Sequence, residues 1–298
     1  MAETSGSDAP RVSVIIPHLD DLAGLATCMA ALERQTLPRA DFEIVVGDNG
    51  SRAGCDAVAA AAAGAHVVAV AEKGAGPARN GAVAASRGRV LAFTDSDCLP
   101  DPGWLAEALD ALEGADLVGG AMRVTAADPA HRTPAEAFEL VFAFDNRTNV
   151  LKRGFSVTAN LVTSRAVFEA TGPFRNGVSE DVEWCHRARA RGFRIAYAER
   201  ALVAHPARRS FAELTRKWRR VTREKVLLDR DAGLPVAAQL LRAAVIAASP
   251  VVHSVRIARA GGLGVADKLA ALGVLVRLRL LRAWWTAIHL CETPARRS

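Results

Sequence analysis

Residues 90–97 have the sequence VLAFTDSD, and this stretch carries the strongest structural signal in the chain. Four apolar residues and a threonine predict a buried strand. Two carboxylates follow, Asp95 and Asp97, spaced one residue apart. Oxygen ligands on a short loop suit Mg²⁺ or Mn²⁺, and such ions usually keep substrate phosphates as further ligands. Taken alone, the stretch also fits a solvated turn, because Asp and Ser favour turns.

Strand and helix patterns alternate on both sides of this stretch. Apolar runs predict strands at 12–17, 42–46, 66–70, 89–94 and 116–124. Helical spacing predicts helices between them, at 21–35, 53–63, 77–86 and 102–112. This alternation predicts an α/β fold with a mainly parallel sheet. Because ligands of such sheets bind beyond the carboxyl ends of the strands, we expect Pro17, Asp48 and Asp95 at one sheet edge.

The middle of the chain has a less regular pattern. Residues 133–150 fit either a helix or a mobile loop, and residues 154–164 fit a strand that enters the site. A helix is expected over 180–191, with Ser179 as its cap and acidic residues in its first turn. Two short strands are expected after it, at 193–197 and 201–205.

Charge divides the chain near residue 206. From His205 onward there are 18 Lys and Arg against 6 Asp and Glu, whereas residues 1–204 hold 20 against 26. Half of the 298 residues are apolar, which favours a globular protein over a disordered one. The start of the chain is polar and lacks the segments of a secretory signal. We therefore expect a disordered leader, a catalytic domain and a basic, helical C-terminal region, at 1–10, 11–206 and 207–298.

The C-terminal region is both basic and apolar. Residues 211–221 predict a strongly basic helix, and residues 235–259 and 267–291 are apolar but interrupted by Arg. Such segments fit helices that lie on an anionic membrane surface better than helices that span it, with Trp284 and Trp285 near the headgroups. The alternative is a helical subdomain that packs on the catalytic body or pairs in a homodimer.

Nine pieces of the chain form a recognisable series, and no single one is decisive. They are VSVIIP (12–17), LERQT (32–36), EIVVGDNGS (43–51), GPARN (76–80), FTDSD (93–97), GPF (172–174), SEDVE (179–183), RGFRI (191–195) and His205. In this order they resemble the family 2 glycosyltransferases, which have a GT-A fold. The resemblance covers roughly residues 11–206.

The resemblance implies an enzyme that uses a nucleotide-sugar donor, usually UDP-linked, and inverts the anomeric carbon. It implies that Asp48 binds the nucleotide base and that Asp95 and Asp97 bind the metal and the diphosphate. Asp181 matches the family's general base, and His205 matches a histidine that binds the metal in some relatives. One departure is the run Asp-Asn-Gly-Ser at 48–51, where relatives often carry a second Asp.

Inverting transfer is a single displacement reaction, and it requires two contributions from the enzyme. A divalent cation neutralises the leaving diphosphate, and one carboxylate accepts the proton of the attacking hydroxyl. Asp181 is expected at a helix start, whose partial positive charge would lower its pKa and keep it ionised. Glu180 is its close rival, or contacts the acceptor. Arg79 either binds the diphosphate or lies on a helix surface without a functional role. If His205 is a metal ligand, its imidazole favours Mn²⁺ over Mg²⁺.

Three other functions fit the sequence less well. A nucleotidyltransferase usually has a Gly-rich basic loop after the first strand, where this chain has PHLDD at 17–21. A nucleic-acid-binding module would use the basic segment 208–225, which lacks an aromatic platform, so no nucleic acid partner is expected. A pseudoenzyme is disfavoured by the acids at 95, 97 and 181. The sequence is compatible with four classes of hydroxyl acceptor: a lipid-linked glycan, a lipid, a polysaccharide and a small molecule.

Cysteine usage and the tail together predict the cellular location. The five cysteines form no C-x-x-C pair and no zinc spacing, so reduced thiols of a cytoplasmic protein are expected. The basic tail would place the enzyme peripherally at the inner face of the membrane, where nucleotide sugars are made.

Overall fold

The computed structural model describes residues 9–292, and these divide into two compact units. The first unit contains the described residues up to 123 together with 144–205, and the second contains 124–143 together with the residues from 206 onward. The second unit resumes at residue 206 and also includes 124–143, which the sequence analysis assigned to the catalytic domain, so the boundaries 11–206 and 207–298 stay a prediction. The predicted disordered leader, 1–10, lies outside the described residues except for Ala9 and Pro10.

The secondary structure follows the expected alternation through residue 125. The strands are β1 (Val12–His18), β2 (Phe42–Asp48), β3 (His66–Ala69), β4 (Val90–Phe93), β5 (Leu99–Pro100), β6 (Leu117–Thr125), β7 (Leu161–Ser164) and β8 (Ile195–Pro206). The helices are α1 (Leu22–Leu32), α2 (Cys55–Ala61), α3 (Ala75–Ala84), α4 (Trp104–Leu112), α5 (Pro134–Phe142), α6 (Asn146–Thr148), α7 (Arg165–Thr171), α8 (Glu180–Ala190), α9 (Phe211–Asp231), α10 (Val236–Ala248), α11 (Pro250–Arg259) and α12 (Val265–Glu292).

Within the described residues, eight strands form one sheet in the order β3-β2-β1-β4-β7-β6-β8-β5. β1 pairs in parallel with β2 and with β4, and β2 pairs in parallel with β3. The expected parallel sheet is therefore confirmed for β1 to β4. β7 runs antiparallel to β4 and β6, and β5 runs antiparallel to β8.

Strand β1 is buried on both faces, which explains its unbroken apolar sequence. Val14 and Ile16 belong to the apolar cluster that includes residues of α1 and α4. Ile15 points the other way and belongs to a cluster that includes residues of α3, α7 and α8. On β2, a Cβ atom at Gly47 would lie 2.2 Å from the carbonyl oxygen of Ala78. Only glycine allows α3 to pack this close to the sheet.

The carboxyl ends of the parallel strands meet at one edge, as the sequence predicts. Pro17 lies opposite Gly47 and His18 opposite Asp48 in the β1–β2 register. The backbone N–H of Thr94 donates to the carbonyl of Ile15 at 3.2 Å, so the residues after β4 leave the sheet beside β1. This edge therefore brings the loops after β1, β2 and β4 together.

Two expectations for the middle of the chain were wrong. The strands expected at 193–197 and 201–205 are one strand, β8, because the polar residues between them face solvent rather than forming a turn. One of these residues, Arg200, forms an ion pair with Glu107 on α4 at 2.8 Å. Residues 154–164 contain a 3-10 turn at Thr158–Asn160 before the short strand β7.

The second unit is helical and has its own core. Capping boxes start α5 at Thr133 and α9 at Ser210. Glu139 on α5 is buried and accepts hydrogen bonds from Arg208 and from Lys217. Apolar residues of α5, α9, α11 and α12 pack together in one cluster.

Among the described residues, no single helix has the length and apolar composition needed to cross a membrane, although α10 and α11 together meet that test as a pair bent by 42°. The tryptophans of α12 differ from each other. Trp284 is 59% exposed, whereas Trp285 is 6% exposed. The expectation that both lie near headgroups is therefore wrong for Trp285, because its side chain is buried.

Candidate active site

The loop after β4 brings two acids and a histidine together. The backbone N–H of Cys98 donates to the carbonyl of Asp95 at 3.1 Å and closes a tight turn around Asp97. The chain then enters β5, which pairs antiparallel with β8 so that Leu99 lies opposite Ala204. That register places His205 beside the turn, with its Nε2 atom 3.5 Å from Oδ2 of Asp97.

This group of side chains fits a hard divalent cation. Asp95, Asp97, Cys98 and His205 each offer one donor atom, and the four atoms lie within 4.8 Å of one another. Burial raises the pKa of the Cys98 thiol well above its usual range, so the thiol stays protonated and is a poor ligand. Two carboxylates and one imidazole remain, a donor set that suits Mn²⁺ better than Mg²⁺.

Arg79 links the acid loop to the start of α8. Its guanidinium is buried and donates to Asp95 Oδ1 at 2.6 Å and to Glu180 Oε1 at 2.7 Å. Its Nε atom is buried and has no hydrogen-bond partner among the described residues. Arg79 therefore does not decorate a helix surface, and Glu180 is engaged by a cation rather than available to accept a proton.

Asp181 follows Glu180 in the first turn of α8. Among the described residues, no cation forms an ion pair with its carboxylate. Its Oδ1 atom accepts the backbone N–H of Val182 at 2.8 Å. Burial, with the neighbouring charge of Glu180 as a second cause, raises the pKa of Asp181 to about 7. The expectation of a lowered pKa was wrong, because desolvation and a like charge outweigh the helix terminus.

Asp48 lies buried at the end of β2 on the same sheet edge. It accepts the Ser51 hydroxyl at 2.5 Å and lies 3.9 Å from the Cys55 thiol. Next to it, His18 is buried, and neither of its ring nitrogens has a hydrogen-bond partner in the part of the chain that the structure describes. Burial lowers the pKa of His18, which keeps the ring neutral. Sequence reasoning missed His18, although it directly follows Pro17.

Asn49 lies where the chain departs from the family pattern, and its side chain has a structural role. Its side-chain amide donates to the carbonyls of Val70 and Glu72, and its Oδ1 accepts the backbone N–H of Gly74 at 2.7 Å. The side chain thus holds the loop between β3 and α3 against the end of β2. A carboxylate at this position would lose both donated hydrogen bonds.

Replacing Asn49 with Asp, the residue that relatives often carry, is therefore expected to lower the free energy of unfolding by about 1–3 kcal/mol, since two carbonyls lose their donor. Urea unfolding followed by circular dichroism measures the change. An Asn49→Asp variant as stable as the wild type would show that these hydrogen bonds do not hold the loop.

Two further side chains of α8 have structural roles. The Trp184 indole is fully buried, donates to the Gly172 carbonyl at 2.8 Å and stacks on Phe168. Glu183 pairs with Arg187 one turn later, as its spacing predicts. The structure thus groups Asp95, Asp97, His205, Arg79, Glu180 and Asp181 around one loop, with Asp48 and Pro17 on the sheet edge that carries that loop.

Comparisons with known proteins identify the family of the chain. The family model described as glycosyl transferase family 2 matches residues 13–172. A curated relative, the glycosyltransferase AglE of Haloferax volcanii, is 34% identical over 236 residues, which cover 75% of this chain and 77% of that protein.

Two solved structures share the fold. The mannosyltransferase PcManGT of Pyrobaculum calidifontis, solved in complex with GDP-Man and Mn²⁺, is 20% identical with a TM-score of 0.56, over 98% of this chain and 77% of that chain. A mycobacterial protein is 22% identical with a TM-score of 0.52, over 76% of each chain. These two likenesses concern the fold alone and confirm the expected GT-A type. By its sequence matches, the chain belongs to glycosyl transferase family 2 and is a glycosyltransferase that uses a nucleotide-sugar donor.

Proposed function

We propose that the chain is an inverting, divalent-cation-dependent glycosyltransferase that moves a sugar from a nucleoside diphosphate donor to a hydroxyl. The observation that carries the proposal is the convergence of Asp95, Asp97 and His205 next to the Arg79–Glu180 clamp. We favour a UDP-sugar on the family resemblance. The acceptor class stays open between lipid-linked, polysaccharide and small-molecule hydroxyls, and the expected location is the cytoplasmic face of a membrane.

In this proposal Asp95, Asp97 and His205 hold Mn²⁺ or Mg²⁺. The bound cation supplies Lewis-acid neutralisation of the diphosphate. Asp48 binds the nucleotide base from its buried position at the end of β2, and Pro17 and His18 form the neighbouring wall. Arg79 orients Asp95. Its Nε–H has no hydrogen-bond partner among the described residues and is one further donor for a phosphate oxygen.

Asp181 acts as the general base. Glu180 is held by Arg79 at 2.7 Å, whereas the Asp181 carboxylate accepts only the neighbouring backbone N–H among the hydrogen bonds found in the described residues. A base works best when its pKa lies near the operating pH, and burial supplies that match here. The attacking hydroxyl gives its proton to Asp181 as its oxygen bonds to the anomeric carbon and the nucleoside diphosphate departs from the opposite face.

A thermal-shift screen of nucleotide sugars in Mn²⁺ identifies the donor. UDP-sugars and GDP-sugars both belong in the screen, because the fold neighbour PcManGT was solved with GDP-Man. A donor present at about 100 times its dissociation constant should stabilise the protein by about 2.7 kcal/mol. A screen in which no nucleotide sugar shifts the melting temperature would contradict the proposal.

The rate of transfer should depend on the ionisation of Asp181. The pKa of this carboxyl is raised to about 7, so the base is protonated and inactive below that pH and ionised above it. We expect kcat/KM to rise about tenfold per pH unit below about pH 7 and to level off above it. A profile that stays flat between about pH 5 and pH 8 would show that Asp181 is not the base.

A further inference from the structure

Exposed apolar side chains are concentrated in the helical unit. In the part of the chain that the structure describes, 14 large apolar side chains are exposed, and 12 of them lie on α10, α11 and α12. Seven lie on α10 and α11, and the four most exposed of these, at 62–79%, are Leu241, Val245, Val251 and Val252. The described residues of the other unit expose only Leu19 and Leu151. Exposed apolar surface of this extent marks an interaction site.

The exposed apolar residues of α10 and α11 share one face. Pro250 begins α11 and has no N–H to donate to the preceding turn, which explains the bend of 42° between the two helices. Ser249 lies at the break but keeps helical dihedral angles, with φ at −62° and ψ at −20°, so the helical phase continues through the bend. A stripe of exposed apolar residues therefore runs along both helices at steps of four and three residues: Leu241, Val245, Ala248, Val252 and Val255. We call it the α10–α11 stripe.

The stripe lies outside the core of the helical unit. The two helices pack on α12, and their buried residues Gln239, Ala243 and Ile257 lie on the side opposite the stripe. Together the helices have the length and apolar composition of a membrane-spanning segment. A core helix of a soluble protein can have that composition too, but it buries its apolar residues, whereas these helices expose most of theirs. One side of the pair is thus in contact with protein, and the other is an apolar surface without a partner in the described chain.

The charges beside the stripe are all positive. Residues 232–266 contain no Asp or Glu and three Arg. Arg242 forms an ion pair with Asp229 on α9 at 3.2 Å, and Arg256 and Arg259 are exposed in the last turn of α11. Arg259 follows Val255 by four residues and so ends the stripe. A second copy of the chain is disfavoured as the partner, because its own arginines would meet these with no acid in the segment to pair with them.

We propose that the α10–α11 stripe docks on the surface of an anionic lipid bilayer, with its apolar side chains at the acyl boundary and Arg256 and Arg259 at the lipid phosphates. Charge complementarity selects this partner, since an anionic bilayer presents negative headgroups over an apolar layer and the stripe presents the matching arrangement. The inference rests on the membrane location given in the proposed function and names the segment that makes the contact. It needs neither donor nor metal, so membrane binding and sugar transfer can fail independently.

Vesicle flotation of the full chain tests the proposal. The vesicles are phosphatidylcholine alone or phosphatidylcholine with phosphatidylglycerol, and EDTA is present without any nucleotide sugar. We expect the wild type to float with the anionic vesicles, Leu241→Gln to bind them about fivefold more weakly and Leu241→Gln with Val252→Gln about 30-fold more weakly, because these side chains no longer enter the acyl boundary. Arg259→Gln should weaken binding about fivefold at low salt and have less effect at high salt. Both apolar residues are exposed, so the variants should fold, and circular dichroism melts check this.

Leu151→Gln is the matched control for Leu241→Gln. Leu151 is 56% exposed in the other unit, so the same chemical change should leave vesicle binding within about twofold of the wild type. An equal loss in the two variants, or equal flotation of the wild type with neutral and anionic vesicles, would overturn the proposal. So would normal binding by the stripe variants with a loss in Leu269→Gln, because the contact would then lie on α12. A wild type that ignores vesicles but forms a dimer, which the stripe variants abolish in sedimentation experiments, would identify the partner as a second copy instead.

Discussion

Replacing Asp181 with Asn is expected to reduce the rate of sugar transfer by about 10²–10⁴-fold and to leave donor affinity near that of the wild type. The amide keeps the size of the side chain and its acceptor oxygen toward Val182, but it has no basic oxygen for the proton of the attacking hydroxyl. Steady-state kinetics give the transfer rate, and calorimetric titration of the donor gives the affinity. The variant should also lose the acidic limb of the pH profile.

Glu180→Gln is the informative comparison. Its carboxylate is bound to Arg79 at 2.7 Å, so the variant should disturb the position of Arg79 and affect donor binding together with rate. A variant at Asp181 that transfers at the wild-type rate would refute the assignment of the base. So would a Glu180→Gln variant that loses all transfer but still binds donor normally, because the two roles would then be exchanged.

Replacing Asp97 with Asn is expected to weaken the binding of the nucleoside diphosphate in Mn²⁺ by at least about 100-fold. Asp97 lies 3.5 Å from His205 and contributes one of two carboxylates to the cluster. Without it the donor diphosphate would face a poorly held cation, and metal sites lose about 10–100-fold even when only an outer partner is changed. Titration calorimetry in Mn²⁺ measures the change.

Asp110→Asn is the matched control for Asp97→Asn. Asp110 lies exposed on α4, where its carboxylate is 4.0 Å from Arg200, so the same chemical change should leave nucleotide affinity within about twofold. If the wild type bound the nucleotide equally well in Mn²⁺ and in EDTA, the role of Asp97 as a metal ligand would be wrong.

The sheet edge could be predicted from the sequence because it depends on local patterns. Three of the four parallel strands end at or next to a recognisable residue, namely Pro17, Asp48 or the pair at 95 and 97, and parallel strands present their carboxyl ends on one side. The antiparallel strand pairing could not be predicted from the sequence, because β8 pairs with β5 through residues about 100 positions apart. His205 was therefore reached only through the family resemblance, not through any local signal.

The electrostatic details of the site also required the structure. The helix start at Asp181 was visible in the sequence, but the burial that raises its pKa comes from packing of distant segments. Arg79 was left open between two roles, and its contacts to Asp95 and Glu180 depend on how closely α3 packs on β2 at Gly47. In the tail, periodicity alone did not separate the exposed Trp284 from the buried Trp285.

Release of the nucleoside diphosphate from the donor that the screen identifies tests the central claim most directly. The measurement compares the wild type in Mn²⁺, the wild type in EDTA and Asp181→Asn in Mn²⁺, each with a hydroxyl acceptor. The account predicts release in the first reaction, none above background in the second, and a rate about 10²–10⁴-fold lower in the third, at unchanged donor affinity. Release in EDTA, or undiminished release by the Asp181 variant, would contradict it.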